Sequence, residues 1–384
     1  MIKYKKRIGK VFRLKNISES RYKKLCLDKN EKINKFKKNI FKKIISKINI
    51  ENLTLYPEVW RLYRSLGKFH NLNTNQFVVT AGIDGAIKNC FELFVSKGDK
   101  VIILKPTFAM VDIYSKIAGA KKININYDKK LNLNINYLIK SINRSISLIV
   151  IANPNSPTGT LISKFDLEKI IKKANIYNVP VLVDEAYYGF CNVTVLPLLK
   201  KYQNLIISRT FSKAYGLAGL RVGYIIAKPK TAQLLFNLKP MYEVNAIGVL
   251  ACIMMLENSK IHKHYISETK EGLKILIKFL IDNKISFIKT QANFIYINMG
   301  KRIDYFYNQL LKAGILSKKG MGVKGYNNYL RITLGPPKQT LLKSPCVGAT
   351  TALIVLGFLN AYKAISCAPV LVFPQPLPAN ISHI

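Results

Sequence analysis

Three uninterrupted apolar runs constrain this chain more than any other feature. Residues 147–152 (SLIVIA) end at Asn153, residues 181–183 (VLV) end at Asp184, and residues 205–207 (LII) lead toward Lys213. None of them alternates polar with apolar, as expected of strands covered on both faces. A helical stretch over 164–175 lies between the first two. Upstream, 77–80 and 101–104 are further strand runs, with helices predicted over 84–96 and 111–118. Strands spaced by helices predict an α/β fold with a parallel sheet whose ligands sit at the carboxyl ends of the strands. Asn153, Asp184 and Lys213 all fall at or just past such ends.

The run from Ser208 to Tyr224 concentrates the reactive groups. Lys213, at the rim of a dry cleft, is suited to act as a nucleophile and carry a Schiff base. Thr210, Ser212 and Arg221 suit a phosphate, with two hydroxyl donors and a guanidinium that grips oxygens in pairs. Gly216, Gly219 and Gly223 allow backbone to come close to a bound group. Further upstream, strand 77–80 passes through Ala81-Gly82 into a helix, and free N–H groups with the positive end of the helix dipole make that turn an anion seat.

Taken in order, Asn153-Pro154-Asn155-Ser156-Pro157-Thr158-Gly159, Asp184-Glu185-Ala186-Tyr187 and Ser208-x-Thr210-x-Ser212-Lys213 followed by Gly219-x-Arg221-x-Gly223 resemble the fold-type I pyridoxal-phosphate aminotransferases. The similarity is greatest to the histidinol-phosphate branch, and it runs from about Leu25 to about Pro337. The resemblance implies a mainly parallel seven-stranded sheet sandwiched by helices, plus a smaller α+β domain. It implies pyridoxal phosphate as cofactor and transfer of an amino group from an amine to a 2-oxo acid such as 2-oxoglutarate. Lys213 would hold the cofactor and shuttle the proton, and Asp184 would keep the pyridine nitrogen protonated. Asn153 and Tyr187 would donate to the phenolic oxygen, and Phe108 would lie against the ring. The phosphate would sit on the backbone at Ile83 and Asp84, with Thr210, Ser212 and Arg221 around it. Tyr56, in Tyr56-Pro57-Glu58, would reach the phosphate of a neighbouring subunit, which makes the expected active unit a homodimer. Asn30 and Arg331 would bind substrate, Arg331 by gripping its carboxylate. The chain departs from the family at Lys32, where a proline is expected, and at Gly85, where glutamate is common. A decarboxylase of a phosphorylated amino acid shares these motifs and is the alternative reaction.

Beyond Tyr224, residues 225–227 read as an edge strand and helices are predicted over 231–238, 246–257 and 262–283. Strands follow over 286–289, 294–297 and 329–334, with a helix over 305–313. The Lys-rich start carries Ile33, Phe36, Ile40, Phe41, Ile44 and Ile45, which read as one amphipathic helix. The expected organisation is an N-terminal segment of the small domain (1–48), a large cofactor-binding domain (49–260), a small domain (261–340) and a tail (341–384). The tail has only Lys343 and Lys363 as fixed charges and five prolines, unlike the charged closing helix that the family implies.

The net charge of +41 raises the possibility of a basic nucleic-acid or membrane binder, a non-enzymatic reading. Lysines are spread through the predicted helices and no helix-turn-helix pattern stands out, so neither nucleic acid nor membrane is the expected partner. Six scattered cysteines without a C-x-x-C pair, and four histidines, speak against a zinc site by spacing and fit reduced thiols in a cytoplasm. No metal is expected. The basic start lacks an apolar core and does not read as a secretory signal.

Overall fold

The computed structural model describes residues 5–9, 11 and 20–337. The 341–384 tail lies outside them. Seven strands form the larger sheet: β1 (Phe77–Thr80), β2 (Lys100–Lys105), β3 (Lys121–Asn126), β4 (Ile146–Ala152), β5 (Val181–Asp184), β6 (Leu205–Thr210) and β7 (Gly223–Ile226). Their order across the sheet is β1-β7-β6-β5-β4-β2-β3. All pairs are parallel except those of β7, which runs antiparallel to both β6 and β1. The stretch expected at an edge is therefore an interior strand. Its apolar run Tyr224-Ile225-Ile226 is buried on both faces, which the edge reading leaves unexplained.

Side chains of successive strand residues point to opposite faces, so each apolar run feeds two cores. Ile149 and Ile151 of β4 join a cluster with Val181, Val183, Leu205 and Ile207. Leu148 and Val150 join the opposite cluster with Leu182 and Ile206. The first face is closed by α2 (Val59–His70), α5 (Lys164–Ile176) and α7 (Ala246–Glu257), through Leu62, Leu66, Ile170, Ile171 and Met255. The second is closed by α3 (Gly82–Phe94), α4 (Ala109–Ala118) and α6 (Pro229–Leu238). Burial of this kind contributes about 1.5–3 kcal/mol per large apolar side chain, and it anchors the strand ends from which the site is built.

A second, antiparallel sheet has the order β10-β11-β9-β8, from β8 (Phe287–Lys289), β9 (Phe294–Asn298), β10 (Lys318–Lys319) and β11 (Tyr329–Thr333). It packs on α9 (Ile303–Lys312) and on the distal half of α8 (Lys260–Asp282) through Leu276, Leu280, Phe306 and Leu310. The near half of α8 leans on the larger body, with Ile261 against its core, so the helix touches both cores.

The N-terminal segment is shared between the two bodies. Leu25 and Cys26 pair in parallel with Ile315 and Leu316, and Leu27 and Ile33 pack into the smaller core. Phe36, Ile40 and Ile44 pack instead on the larger one. The single helix expected from Ile33 onward is shorter, α1 (Lys38–Ile45). Its apolar residues serve two separate cores, which an unbroken helix would not reach.

Candidate active site

Asn153, Asp184 and Lys213 leave the carboxyl ends of three neighbouring strands. Ala152 is in register with Asp184, and Asp184 with Ser208. The Asn153 N–H donates to the Asp184 carbonyl at 2.9 Å, and the Glu185 N–H to the Ser208 carbonyl at 2.9 Å, so the ladder continues into the site. Asp184 is buried, and loss of water pushes its carboxyl up to about 7. The Ala186 N–H (3.0 Å) and the Ser208 hydroxyl (3.4 Å) donate to Oδ1 and pull the other way. A carboxylate placed like this is completed by a cationic N–H partner, such as a protonated pyridine nitrogen.

Lys213 Nζ donates to the carbonyl of Lys29 at 2.7 Å and lies 6.0 Å from the centre of the Tyr187 ring. Burial, then the positive charge of Arg331, brings its ammonium down to about 8, within reach of a free amine at neutral pH. Tyr187 is buried and its hydroxyl accepts from Asn30 Nδ2 at 2.8 Å. Asn30 has a left-handed backbone (φ 58°), a conformation that asparagine tolerates better than most residues. Its N–H donates to Thr333 Oγ1 (3.1 Å), and its carbonyl accepts from Asn293 Nδ2 (3.1 Å). These bonds tie the N-terminal segment to β11 and to the lysine at once.

Asn153 spends its amide oxygen on the Ile162 N–H (2.8 Å) and one N–H on the Ile162 carbonyl (3.2 Å). One Nδ2 hydrogen remains for a guest. Phe108 stands at the start of α4 and packs in the cluster that contains Ile83 and Ala186.

The N–H groups of Gly82, Ile83 and Asp84 precede the first intrahelical bond of α3 and take no partner among the described residues. The Arg221 guanidinium approaches Asp84 at 3.4 Å, and Arg221 itself has a left-handed backbone (φ 54°). Thr210 Oγ1 donates to Ser212 Oγ at 3.0 Å, so both hydroxyls sit together. Gly223 lets the two segments meet, because a Cβ there would lie 2.7 Å from the Gly82 carbonyl carbon. Free helix N–H groups, paired hydroxyls and a guanidinium form a seat that fits a phosphate dianion.

Arg331 lies inside the smaller sheet, 5 % exposed, with its guanidinium carbon 5.3 Å from the centre of the Phe294 ring. Nη2 donates to the Asp28 carbonyl, while the buried Nε has no partner among the described residues. An unfilled donor on a buried cation calls for an anionic guest. Tyr56 is set apart from this cluster: it is 74 % exposed and stacks on Tyr242 with centroids 4.0 Å apart.

Three residues near the site carry no role in the sequence reading, although Ser208 stands in its motif. Lys318 pairs directly across from Arg331 on β10, which brings their Cβ atoms within roughly 5 Å. Burial, then the charge of Arg331, lowers its ammonium. In a chain with 61 Lys and Arg residues nothing distinguishes one lysine until the register is known. Ser208 acts through Asp184, and Glu243 accepts from the Ala81 N–H at 2.9 Å, at the edge of the phosphate seat. The group formed by Cys26, Asp28 and Glu31 has metal-ligand chemistry, but Arg21 already pairs with Asp28 (2.7 Å) and Glu31 (2.9 Å).

Residues 29–343 match the family described as aminotransferase class I and II. Among curated proteins, histidinol-phosphate aminotransferase of Thermoanaerobacter sp. (strain X514) is 35% identical over 314 residues, 80% of this chain and 88% of the relative. Among solved structures, histidinol-phosphate aminotransferase from Sinorhizobium meliloti, in complex with pyridoxal-5'-phosphate, superposes with a TM-score of 0.75 at 21% identity, covering 88% of this chain and 91% of that one. L-threonine-O-3-phosphate decarboxylase from Porphyromonas gingivalis gives 0.71 at 18% identity, with 88% and 99% covered.

Proposed function

The chain belongs to the class I and II aminotransferases, and from that premise we propose that it transfers the amino group of histidinol phosphate, or of an amine close to it, to 2-oxoglutarate. It is a pyridoxal-phosphate-dependent transaminase, with an amine and an oxo acid as substrates. Bound at this site, pyridoxal phosphate supplies an electron sink for the pair released at the substrate carbon. The observation that carries the reading is the convergence of Asp184, Lys213 and the open α3 N-terminus at neighbouring ends of one sheet.

Asp184 holds the ring nitrogen in its protonated form. The last Nδ2 hydrogen of Asn153 and the Tyr187 hydroxyl orient the phenolic oxygen. The N–H groups of Gly82, Ile83 and Asp84, with Thr210, Ser212 and Arg221, hold the phosphate. Lys213 Nζ would take the proton from the amine-bearing carbon of the substrate and hold it for return across the nitrogen. Histidinol phosphate has a phosphate and no carboxylate, whereas the oxo acid has carboxylates. Arg331 beside Lys318 is a pair of cations that suits either anion, and this supports one site serving both half-reactions.

The exposed apolar side chains Phe41, Ile45, Leu53, Tyr56, Trp60 and Tyr242 support a homodimer in which Tyr56 serves the other subunit's cofactor. Free thiols at Cys26, Cys90, Cys191 and Cys252 suit the cytoplasm. No helix among the described residues is long and apolar enough to cross a membrane.

A panel of amine donors tested for conversion of the cofactor to its amino form, with 2-oxoglutarate then restoring it, identifies the donor. Histidinol phosphate is expected to lead the panel. Release of carbon dioxide from a phosphorylated amino acid, without a new oxo product, would replace this reading with the decarboxylase one. Replacing Lys213 with alanine is expected to abolish turnover while the circular dichroism spectrum persists. Retained turnover would count decisively against the assignment.

A further inference from the structure

A cleft of about 440 Å3 opens beside the loop that carries Lys213, between residues 188–194, the end of α2 and the first turn of α8. It shares Ala214 and Tyr215 with that loop, but none of Asn153, Asp184, Lys213 and Arg331 lines it. Its volume falls within the range of small-molecule sites.

The lining is specific in two respects. Phe69, Tyr188 and Tyr215 supply aromatic surface. The Tyr188 ring is held in place by Arg209, whose guanidinium carbon lies 3.5 Å from the ring centre, and Arg209 is fixed in turn by Glu185 at 2.8 Å. The polar groups favour negative charge. Ser259 precedes the first residue of α8 and its side chain caps no N–H, and the His262 N–H takes no partner among the described residues. His262 and the exposed Lys263 both line the cleft, and no carboxylate among the described residues does. Tyr215 and His262 are 3 % and 6 % exposed, and Tyr215 Oη and His262 Nδ1 have no hydrogen-bond partner among the described residues. Buried polar atoms left in this state call for a partner, which a guest in the cleft can supply. Burial also keeps His262 neutral at physiological pH, so its ring can accept as well as donate.

We propose that this cleft is a second ligand site, selective for a small flat aromatic carboxylate. The ring would lie among Phe69, Tyr188 and Tyr215, and the carboxylate would face Lys263 and the open turn of α8. Through Ala214 and Tyr215 an occupant would brace the loop next to Lys213, giving the transaminase a site through which its lysine can be tuned.

Benzoate serves as the probe, added to the cofactor-loaded enzyme and followed by equilibrium dialysis and saturation-transfer NMR. One benzoate per chain is expected. Cyclohexanecarboxylate, which is charged but not flat, and benzyl alcohol, which is flat but neutral, should each bind about tenfold more weakly or worse. Lys263→Glu alters an exposed side chain and should keep the cofactor absorbance while weakening benzoate about tenfold. Arg331→Ala should leave benzoate binding unchanged. Absence of saturable binding to the wild-type enzyme overturns the proposal. So does binding that survives Lys263→Glu and disappears with Arg331→Ala, since that would place benzoate in the catalytic site.

Discussion

Asp184 is the residue on which the proposed chemistry turns, and its electrostatics give a test that needs no substrate. Its carboxyl is pushed up to about 7 in the fold, chiefly by burial, against an ordinary value of 3.8. An acid whose folded pKa is raised favours folding when protonated, and that contribution fades as pH rises through the folded value. Cofactor-free protein is therefore expected to lose thermal stability between about pH 4 and pH 7 on account of this group. Asp184→Asn should flatten that part of the profile and melt higher than wild type at pH 8. Once the cofactor is bound, the ranking should reverse, because only the carboxylate pairs with a cationic ring nitrogen. Melting curves of both proteins, with and without pyridoxal phosphate, check both signs. Asp184 was legible from its place at the end of an apolar run. Ser208, which donates to it, was not, because a serine within a strand motif looks the same whether it faces the acid or the core.

At the scale of elements, the apolar runs revealed β4, β5 and β6 but not their neighbours' positions. The strand β3 (KKININ) went unread, since an edge strand half open to water needs only one buried residue, here Ile125, and its lysines protect the edge. The interior position of β7 was also hidden, because strand order is a long-range property that local pattern does not encode. That position matters for function. With β7 antiparallel between β1 and β6, its first residue, Gly223, lies against Gly82 at the start of α3. Backbone faces backbone there, so a methyl group cannot be accommodated by rotating a side chain. Gly223→Ala should cost about 1–3 kcal/mol of stability and should weaken pyridoxal phosphate more than it weakens the amine substrate. Denaturant unfolding together with cofactor titration separates the two effects. Equal stability and equal cofactor affinity would mean that the phosphate seat does not depend on this contact.

For the whole molecule, the positive charge and the exposed apolar face act together. A field of one sign would draw phosphorylated and carboxylated ligands toward Arg331, Lys318 and the α3 seat, and the exposed Tyr56, Trp60 and Tyr242 form the apolar surface that a partner subunit would cover in the proposed dimer. In a two-fold dimer each site would combine Lys213 of one chain with Tyr56 of the partner subunit. Mixing two crippled proteins tests that arrangement. Lys213→Ala lacks the reactive amine in both sites, and Tyr56→Ala lacks the contributed hydroxyl in both. After subunit exchange, half of the dimers hold one chain of each kind. In such a mixed dimer one site carries both defects and the other carries neither. About a quarter of all sites should then be intact, and activity should rise toward that fraction of wild type. If Tyr56 served its own chain instead, every site would keep one defect and mixing would restore nothing. The exchange can be followed by mass spectrometry, so silence from a mixture that has demonstrably exchanged would remove Tyr56 from the partner's site.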